Sequence, residues 1–486
     1  MLIISKIFHK IFPLFDHLYI FQVLEYKSWD FLKWFSNNLL KRNLQKKHKL
    51  EWTPKAKLLA VESTALIILD SAVTSYLLIG NLGLTLLLLL IKFLYFPLFL
   101  VVSQILISPL EFYQKQKILT QTKNKLSRLP NLKVVALTGS FGKTSTKDIL
   151  FTLLFKKYYV VKTPKSFNTP LGIAQTILEQ VKKNTDIFIC EIGAYRQGEI
   201  KEIASLIKPQ TGIITAIAPQ HLEKFGSLEN IAKAKFELVE SLPENGLAIL
   251  NGEYKILKDL SLHPSVRTIF YGREKDPFYA TSINSNNSGS TSFTIHTPEG
   301  KAEIKIPLIG EHHAQNFLAA TAAALNLGLT LSEIKDRAKL LLPTPHRMEI
   351  KKMGNITLID NSYNTNPKSA ESSLKLLDSF NAKKIIITPG FVQLGKETAG
   401  TNRQLGNDIA CIGDEVIIVG EYNKKYLLEG IKQVLKEPES TTHFVGSTKE
   451  GLSLAYQMAK EMTERIARYD TEIAILLEND LPDQYS

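Results

Sequence analysis

Apolar positions fall along this chain in two patterns, and each predicts a different kind of element. Between Thr64 and Ser108 they run almost continuously: Thr64 to Gly80 is broken by Asp70, and Leu82 to Ser108, which includes Leu86 to Leu90, holds Lys92. About 20 apolar residues suffice for a helix to cross a bilayer. With Asn81 and Gly83 making a tight connection, the pair predicts a transmembrane hairpin near 64–80 and 82–108, with a buried helix as the competing reading. From about Asn131 onward, short apolar runs alternate with helical stretches, the mark of α/β domains. Val134–Leu137, Asp186–Cys190 and Thr211–Ala218 read as strands of a first domain, 131–342. Pro343-Thr344-Pro345 makes a stiff connection. Lys384–Thr388, Glu415–Val419, Thr442–Val445 and Glu472–Leu477 read as strands of a second domain, 343–486. Ser282–Ser292, rich in Ser and Asn, predicts an exposed hairpin loop or insertion.

Charge changes the reading of the first 130 residues. Residues 1–133 hold 18 Lys/Arg against 7 Asp/Glu, a net of +11 out of the chain's +12. The basic residues flank the apolar pair on both sides, from Lys41 to Lys57 before it and from Lys115 to Lys133 after it. Positive flanks stay cytoplasmic, so both termini and the globular part are expected on the cytoplasmic side of the inner cell membrane. Such basicity suits anionic lipid headgroups, and no nucleic-acid partner is expected. Met1 to Tyr26 mixes Lys6, His9 and Lys10 with Ile, Leu and Phe, but Phe15-Asp16-His17 interrupts it and no small-residue cleavage site follows, so an interfacial helix is expected in place of a signal peptide; a helix packed on the hairpin is the alternative. The two cysteines, Cys190 and Cys411, are too few for a four-cysteine zinc site and fit a reducing compartment.

The strand Val134–Leu137 feeds Thr138-Gly139-Ser140-Phe141-Gly142-Lys143-Thr144, a glycine turn that opens a helix. Such a turn is a phosphate cradle: backbone N–H groups of Gly139, Ser140, Phe141 and Gly142 approach the phosphates, Lys143 reaches the β/γ oxygens and the Thr144 hydroxyl holds Mg²⁺. ATP is the expected ligand. The general loop has a glycine five residues before the second one, where this chain has Leu137, so the turn alone is also open to a plain strand–turn–helix reading. Two further strands end in polar residues, Glu191 after Asp186–Cys190 and His221 after Thr211–Ala218. In an open parallel sheet ligands bind at the carboxyl ends of strands, so Lys143, Thr144, Glu191 and His221 should converge.

Those residues belong to an ordered series: LTGSFGKTSTKD, KSFNTPLGI, CEIGAYRQGEI, APQHLEKFGSLENIAKAKFEL, GEHHAQNFLAATAAAL, PHRMEI and IDNSYNTNP. From Lys133 onward the chain thereby resembles the Mur ligase family, and within it the MurF branch, which joins D-alanyl-D-alanine to a UDP-muramoyl tripeptide. The resemblance implies a P-loop central domain and a Rossmann-like C-terminal domain, here preceded by the transmembrane hairpin where the family carries a UDP-binding domain. It implies that Glu191 and His221 ligate or orient metal, two Mg²⁺ ions in all, and that Lys235 is carbamylated to a bridging carboxylate; read alone, Lys235 is a solvated helix lysine like Lys233. It also implies nucleotide roles for Asn168, Asn316, Arg347, which the C-terminal domain brings onto the phosphates, and Asp360; by their own sequence context Arg347 reads as a linker arginine and Asp360 as a helix or turn cap. His313 stands where an asparagine is usual.

The activity so implied is ATP-dependent amide-bond formation through an acyl phosphate, in peptidoglycan synthesis. Lys143, His221, Lys235 and Arg347 are the expected catalytic residues. Two departures bear on the substrates. Pro389-Gly390-Phe391-Val392-Gln393-Leu394-Gly395 replaces an acidic GDMxELG-type stretch, and Leu477-Glu478-Asn479-Asp480 stands where Lys-Gly-Ser is usual. A UDP-linked or lipid-linked muramoyl peptide with an amine such as D-alanyl-D-alanine, a different carboxylate for another polymer or cofactor, and a membrane-anchored ATP-binding scaffold are the readings the sequence leaves open.

Overall fold

The computed structural model describes residues 14–38, 50–77, 83–84, 87–88, 96–164, 167–220, 222–261, 266–286, 289–363, 366–465 and 472–481. The chain divides into two compact units between Gln116 and Lys117.

In the first unit the helices Leu14–Val23, Ser28–Asn38 and Pro54–Leu77 and the beginning of Phe96–Leu126 share a small core of Leu18, Phe21, Phe31, Leu59 and Leu100. Leu18 to Phe21 are four consecutive buried residues, so the described part of the opening segment is a packed helix and not one laid on an interface. The helix Pro54–Leu77 starts ten residues before the expected span because Thr53 caps it, its Oγ1 accepting from Ala56 N at 3.1 Å, and Pro54 supplies a preset φ at the first position. The other expected span, 82–108, meets the described helix at Phe96, and that helix continues to Leu126; Asn81 and residues 89–95 lie outside the described residues. Pro54–Leu77 and Pro97–Leu126 are each long and apolar enough to cross a membrane. Away from the small core they expose Val61, Ile68, Leu69 and Val73 on one, and Val102, Ile105 and Leu106 on the other.

The second unit holds two sheets. The first comprises β1 (Lys133–Thr138), β2 (Val160–Lys162), β3 (Ile187–Glu191), β4 (Thr211–Ile214), β5 (Leu247–Asn251), β6 (Arg267–Gly272), β7 (Phe278–Asn286), β8 (Ser290–Thr297) and β9 (Gly300–Ile306), in the order β2-β3-β1-β4-β5-β6-β7-β8-β9. The first seven strands in that order run parallel and β7-β8-β9 form an antiparallel extension. The strands β1 and β3–β5 are buried on both faces, as parallel strands covered by helices must be, which is why they read as continuous apolar runs. Ser282–Ser292 is the tip of the β7–β8 hairpin: pairing extends to Asn286 opposite Ser290, with a register shift between Thr281 and Asn284. Ile118, Leu119, Leu126 and Leu129 pack on the core under this sheet, so the last turns of the long helix belong to the globular unit.

The second sheet has β10 (Glu349–Met353), β11 (Ile356–Asn361), β12 (Lys383–Thr388), β13 (Glu415–Val419), β14 (Thr442–Val445) and β15 (Ile473–Glu478), in the order β10-β11-β15-β12-β13-β14. All but β10 are parallel. The expected strands are reproduced to within one residue at each end, and the returning strand β15 is inserted between β11 and β12.

Candidate active site

The phosphate turn is built as its sequence demands. Gly139 and Gly142 have φ of 154° and 78°, and a Cβ at either would collide, at Gly139 with Thr215 Oγ1 and at Gly142 with Asn316 Oδ1. Only glycine meets both conditions. The turn is braced from β4's carboxyl end, where Ser140 N donates to Ala216 O at 2.8 Å and Ser140 Oγ donates to Ala218 O at 3.0 Å. Thr215 Oγ1 also donates to Phe141 O. The helix Lys143–Leu154 begins immediately, so its N-terminal N–H groups face the cradle.

Lys143 Nζ donates to Gly139 O at 2.6 Å and Ser140 O at 3.4 Å, which folds the ammonium back over the turn. Burial pulls its pKa down to about 8, against the opposing pull of Glu191. Glu191, the last residue of β3 and 1% exposed, accepts from Thr144 Oγ1 at 2.9 Å. The same Oε2 atom lies 3.0 Å from Lys147 Nζ. Lys147, one helical turn after Lys143, is a functional-site neighbour that its sequence context does not mark. From the second sheet's side, Arg347 Nη2 donates to Thr144 Oγ1 at 3.2 Å, and its guanidinium stacks over Tyr363, 4.7 Å from the ring centre. Strand end, phosphate turn and C-terminal segment thus meet at one hydroxyl. A glycine cradle, an ammonium folded over it and a hydroxyl–carboxylate pair fit a nucleotide polyphosphate with its divalent cation.

Lys235, on the helix Leu228–Glu240, is 5% exposed and its Nζ makes no hydrogen bond or ion pair among the described residues. Burial, and secondarily the charge of Lys143, pushes its pKa well below the usual lysine range. A buried amine of that kind is neutral often enough to react with CO₂, and the resulting anion would suit the cations facing it, so the residue fits carbamylation. Lys233 is exposed. His221 lies outside the described residues.

Asn168 is half-buried, with its side chain over Gly193, where a Cβ would lie 2.7 Å from Asn168 Nδ2. Asn316 sits against the turn, its Oδ1 accepting from Thr146 Oγ1 at 3.4 Å. The neighbouring His312 and His313 rings are 4.2 Å apart, and the Nδ1 atoms of both are buried without a hydrogen-bond partner. Burial lowers the pKa of His312 to about 4 and that of His313 well below the imidazole range. His313, Thr344, Arg347, Met348 and Lys352 line a cavity of about 330 Å³ whose other walls include Pro307, Leu308 and Ile309.

Asp360 is held by neighbours on its own segment. Its Oδ2 lies 2.8 Å from His346 Nδ1 and 3.4 Å from Lys351 Nζ, and its Oδ1 accepts from Ser362 Oγ at 2.7 Å and Ser362 N at 3.2 Å. Burial opposes ionisation, but the hydrogen bonds from Ser362 and His346 outweigh it and hold the carboxyl below its ordinary range. The cap of the following helix is Asn366, whose Oδ1 accepts from Ser369 N at 3.0 Å. His346, Glu349 and Asp360 also have ligand-type atoms within 4.8 Å of one another, yet Lys351 Nζ lies between the two carboxylates and supplies the cation there.

At the carboxyl ends of β15, β11 and β12 the two departures from the motif series are buried together. Glu478 is fully buried and accepts from Asn361 Nδ2 at 3.0 Å and from Ser373 Oγ. Asn402, Asn423 and Asn479 tie down the Pro389–Phe391 backbone, Asn479 Nδ2 donating to Gly390 O at 2.7 Å and Asn402 Oδ1 accepting from Phe391 N at 2.8 Å.

Comparison with known proteins matches segments of both sheets. The Mur ligase middle domain matches residues 137–324, and the Mur ligase, glutamate ligase domain matches residues 346–464. The UDP-N-acetylmuramoyl-tripeptide–D-alanyl-D-alanine ligase of Haemophilus influenzae is 32% identical over 324 residues, 66% of this chain and 68% of that protein. The Escherichia coli protein of the same name is 34% identical over 294 residues, 60% of this chain and 65% of its own length. Among solved structures, MurF from Acinetobacter baumannii superposes with a TM-score of 0.68 at 26% identity, covering 75% of this chain and 77% of that one. MurF ligase from Thermotoga maritima in complex with ADP shares the fold, with a TM-score of 0.63 at 23% identity over 75% of this chain and 80% of that one.

Proposed function

The chain belongs to the Mur ligase family and is a MurF-like ligase, and from that premise we propose that it forms an amide between a muramoyl-peptide carboxylate and D-alanyl-D-alanine at the expense of ATP. The observation that carries the reading is the meeting of Thr144, Glu191 and Arg347 at one hydroxyl beside the phosphate turn. In the first step the peptide carboxylate attacks the γ-phosphorus, the bond to ADP breaks and an acyl phosphate forms. In the second the amine attacks the acyl carbon, the carbon–oxygen bond to phosphate breaks, and the amine gives up a proton as the amide forms.

The chain's own groups do the positioning. Backbone N–H groups of the turn and the helix N-terminus hold the polyphosphate, and Lys143, released from Gly139 O, reaches the transferring group. Arg347 adds a second cation from the C-terminal side and acts late, once both substrates are in place. Thr144, Glu191, His221 and carbamylated Lys235 are the residues to hold Mg²⁺, which when bound offsets charge on the transferring phosphoryl oxygens. Asn168, Asn316 and Asp360 are nucleotide-side contacts in the same reading.

We also infer that the first 130 residues hold the enzyme in the inner membrane with its catalytic domains on the cytoplasmic side, and that a lipid-linked muramoyl peptide is then a substrate to be tested beside the UDP-linked one. The uncovered apolar faces of Pro54–Leu77 and Pro97–Leu126 and the basic flanks support this. The test is phosphate release by the purified full chain from ATP and Mg²⁺, with UDP-muramoyl tripeptide and D-alanyl-D-alanine supplied singly and together. Release that needs both is expected. Release indifferent to either partner, or none with any muramoyl peptide and amine in a panel, would overturn the ligase reading.

A further inference from the structure

The reaction as derived leaves one buried cation without a role. Lys147 lies on the second turn of the helix that opens at the phosphate cradle, and its side chain is 1% exposed. Its Nζ lies 3.0 Å from Glu191 Oε2, an atom that also accepts from Thr144 Oγ1 at 2.9 Å. Among the described residues Oε1 of the same carboxylate accepts no hydrogen bond. One oxygen of the proposed metal ligand is therefore committed to the protein and the other is left over.

A buried lysine beside a metal-binding carboxylate acts on the ion in two ways. It fixes the carboxylate in one orientation, and its charge repels the divalent cation across only a few ångströms of low-dielectric interior. Binding to Thr144 and Glu191 alone is thereby weakened, whereas an ion arriving with a polyphosphate brings its own compensating negative charge.

We propose that Lys147 is a positioning residue that serves as the resident counter-cation of Glu191, leaving Oε1 for the ion and keeping divalent-cation affinity low until a nucleotide polyphosphate is present. This inference rests on the reading of Glu191 as a metal ligand. It makes cation binding conditional on nucleotide through a residue outside the ligand set.

The experiment measures Mn²⁺ binding to the full chain by loss of the free-ion electron paramagnetic resonance signal, without nucleotide and with a non-hydrolysable ATP analogue. Wild-type protein should bind Mn²⁺ firmly only with the analogue. Without nucleotide, Lys147→Met and Lys147→Gln should bind it at least about tenfold more tightly than wild type, while Lys147→Arg, which keeps the charge, should stay within about threefold. Folded charge-free variants that bind with wild-type affinity or more weakly would overturn the proposal. So would charge-free variants that fold neither alone nor in millimolar Mn²⁺, since the lysine would then be a structural counter-ion only. If wild type binds no Mn²⁺ even with the analogue, the metal reading of Glu191 fails first, and the two failures are told apart.

Discussion

Arg347 Nη2 reaches Thr144 Oγ1 across 3.2 Å, and those two residues are 203 positions apart in the chain. The contact brings the segment that leads into the second sheet onto the first helical turn after the phosphate cradle. Thr344 Oγ1 reinforces it, 3.3 Å from Asp148 Oδ2 on the same helix. Burial lowers the Arg347 pKa while Glu191 and Asp148 oppose that shift, so the guanidinium is a desolvated cation held against the hydroxyl beside the phosphate turn.

Arg347→Ala should therefore lower kcat by about 10³-fold while changing the affinity for an ATP analogue only a few-fold, the pattern of an interaction made in the transition state. Steady-state kinetics and analogue titration on the same preparation decide this. Normal turnover in the variant would mean that the C-terminal segment is not part of the phosphoryl-transfer site.

Lys143→Ala should abolish ligation, by about 10³-fold or more, with the melting temperature little changed, because among the described residues Lys143 hydrogen-bonds only to the backbone of the turn. Near-normal turnover in a folded variant would end the phosphate-cradle reading.

Lys235→Ala should lose activity that short-chain carboxylic acids partly restore, since they replace the carboxylate a carbamate would supply. Lys233→Ala is the matched control two positions away, exposed where Lys235 is buried, and should be nearly silent. Equal losses at both positions, without rescue, would assign the helix a general basic role.

The His312–His313 pair should make stability depend on pH. Both imidazoles are held neutral by burial, His312 with a pKa of about 4, while in the unfolded chain each takes a proton near 6.5. A lowered folded-state pKa means that the unfolded state binds more protons on acidification. The stability carried by the neutral pair is thus full above about pH 6.5 and is lost as pH falls toward 4. Urea midpoints measured from pH 7.5 to pH 5 should fall in wild type and fall less in His313→Asn, which restores the residue usual at that position. Parallel slopes in the two proteins would sink the assignment.

The parts of this site that the sequence made legible are those fixed by local backbone and strand ends. Gly139, Gly142, Lys143 and Thr144 are set by one turn, and Glu191 by the end of one apolar run, so spacing alone led to them. Lys147 was not legible. Nothing in TSTKD distinguishes a solvated helix lysine from one buried on a carboxylate 44 residues later, because the pairing depends on the parallel register of β1 and β3. The start of the helix Pro54–Leu77, ten residues before the expected span, has another cause: apolarity marks the middle of a helix, whereas Thr53 and Pro54 mark its start. Of the two local readings of Asp360, the turn is the one formed, its Oδ1 accepting from Ser362 N, while Asn366 caps the helix that follows.

The membrane prediction follows from where the compact unit begins. Full-length chain should stay with the bilayer through high salt and carbonate washes, because helices of the length and apolarity of Pro54–Leu77 and Pro97–Leu126 resist both when they span. Release by either wash would make the attachment peripheral. Ile118, Leu119, Leu126 and Leu129 pack on the core under the first sheet, so a truncation should start at Lys117; one that starts at 129 strips three of these four and should melt several degrees lower. The Lys117 protein should be a soluble ligase with near-normal turnover on UDP-muramoyl tripeptide. Its activity on a lipid-linked acceptor should fall further, by about tenfold relative to full-length chain in vesicles, because the anchor confines enzyme and lipid substrate to one surface and raises their effective concentration. Equal activity of the two proteins on the lipid-linked acceptor would mean that the apolar helices set location alone and that the substrate is the soluble one.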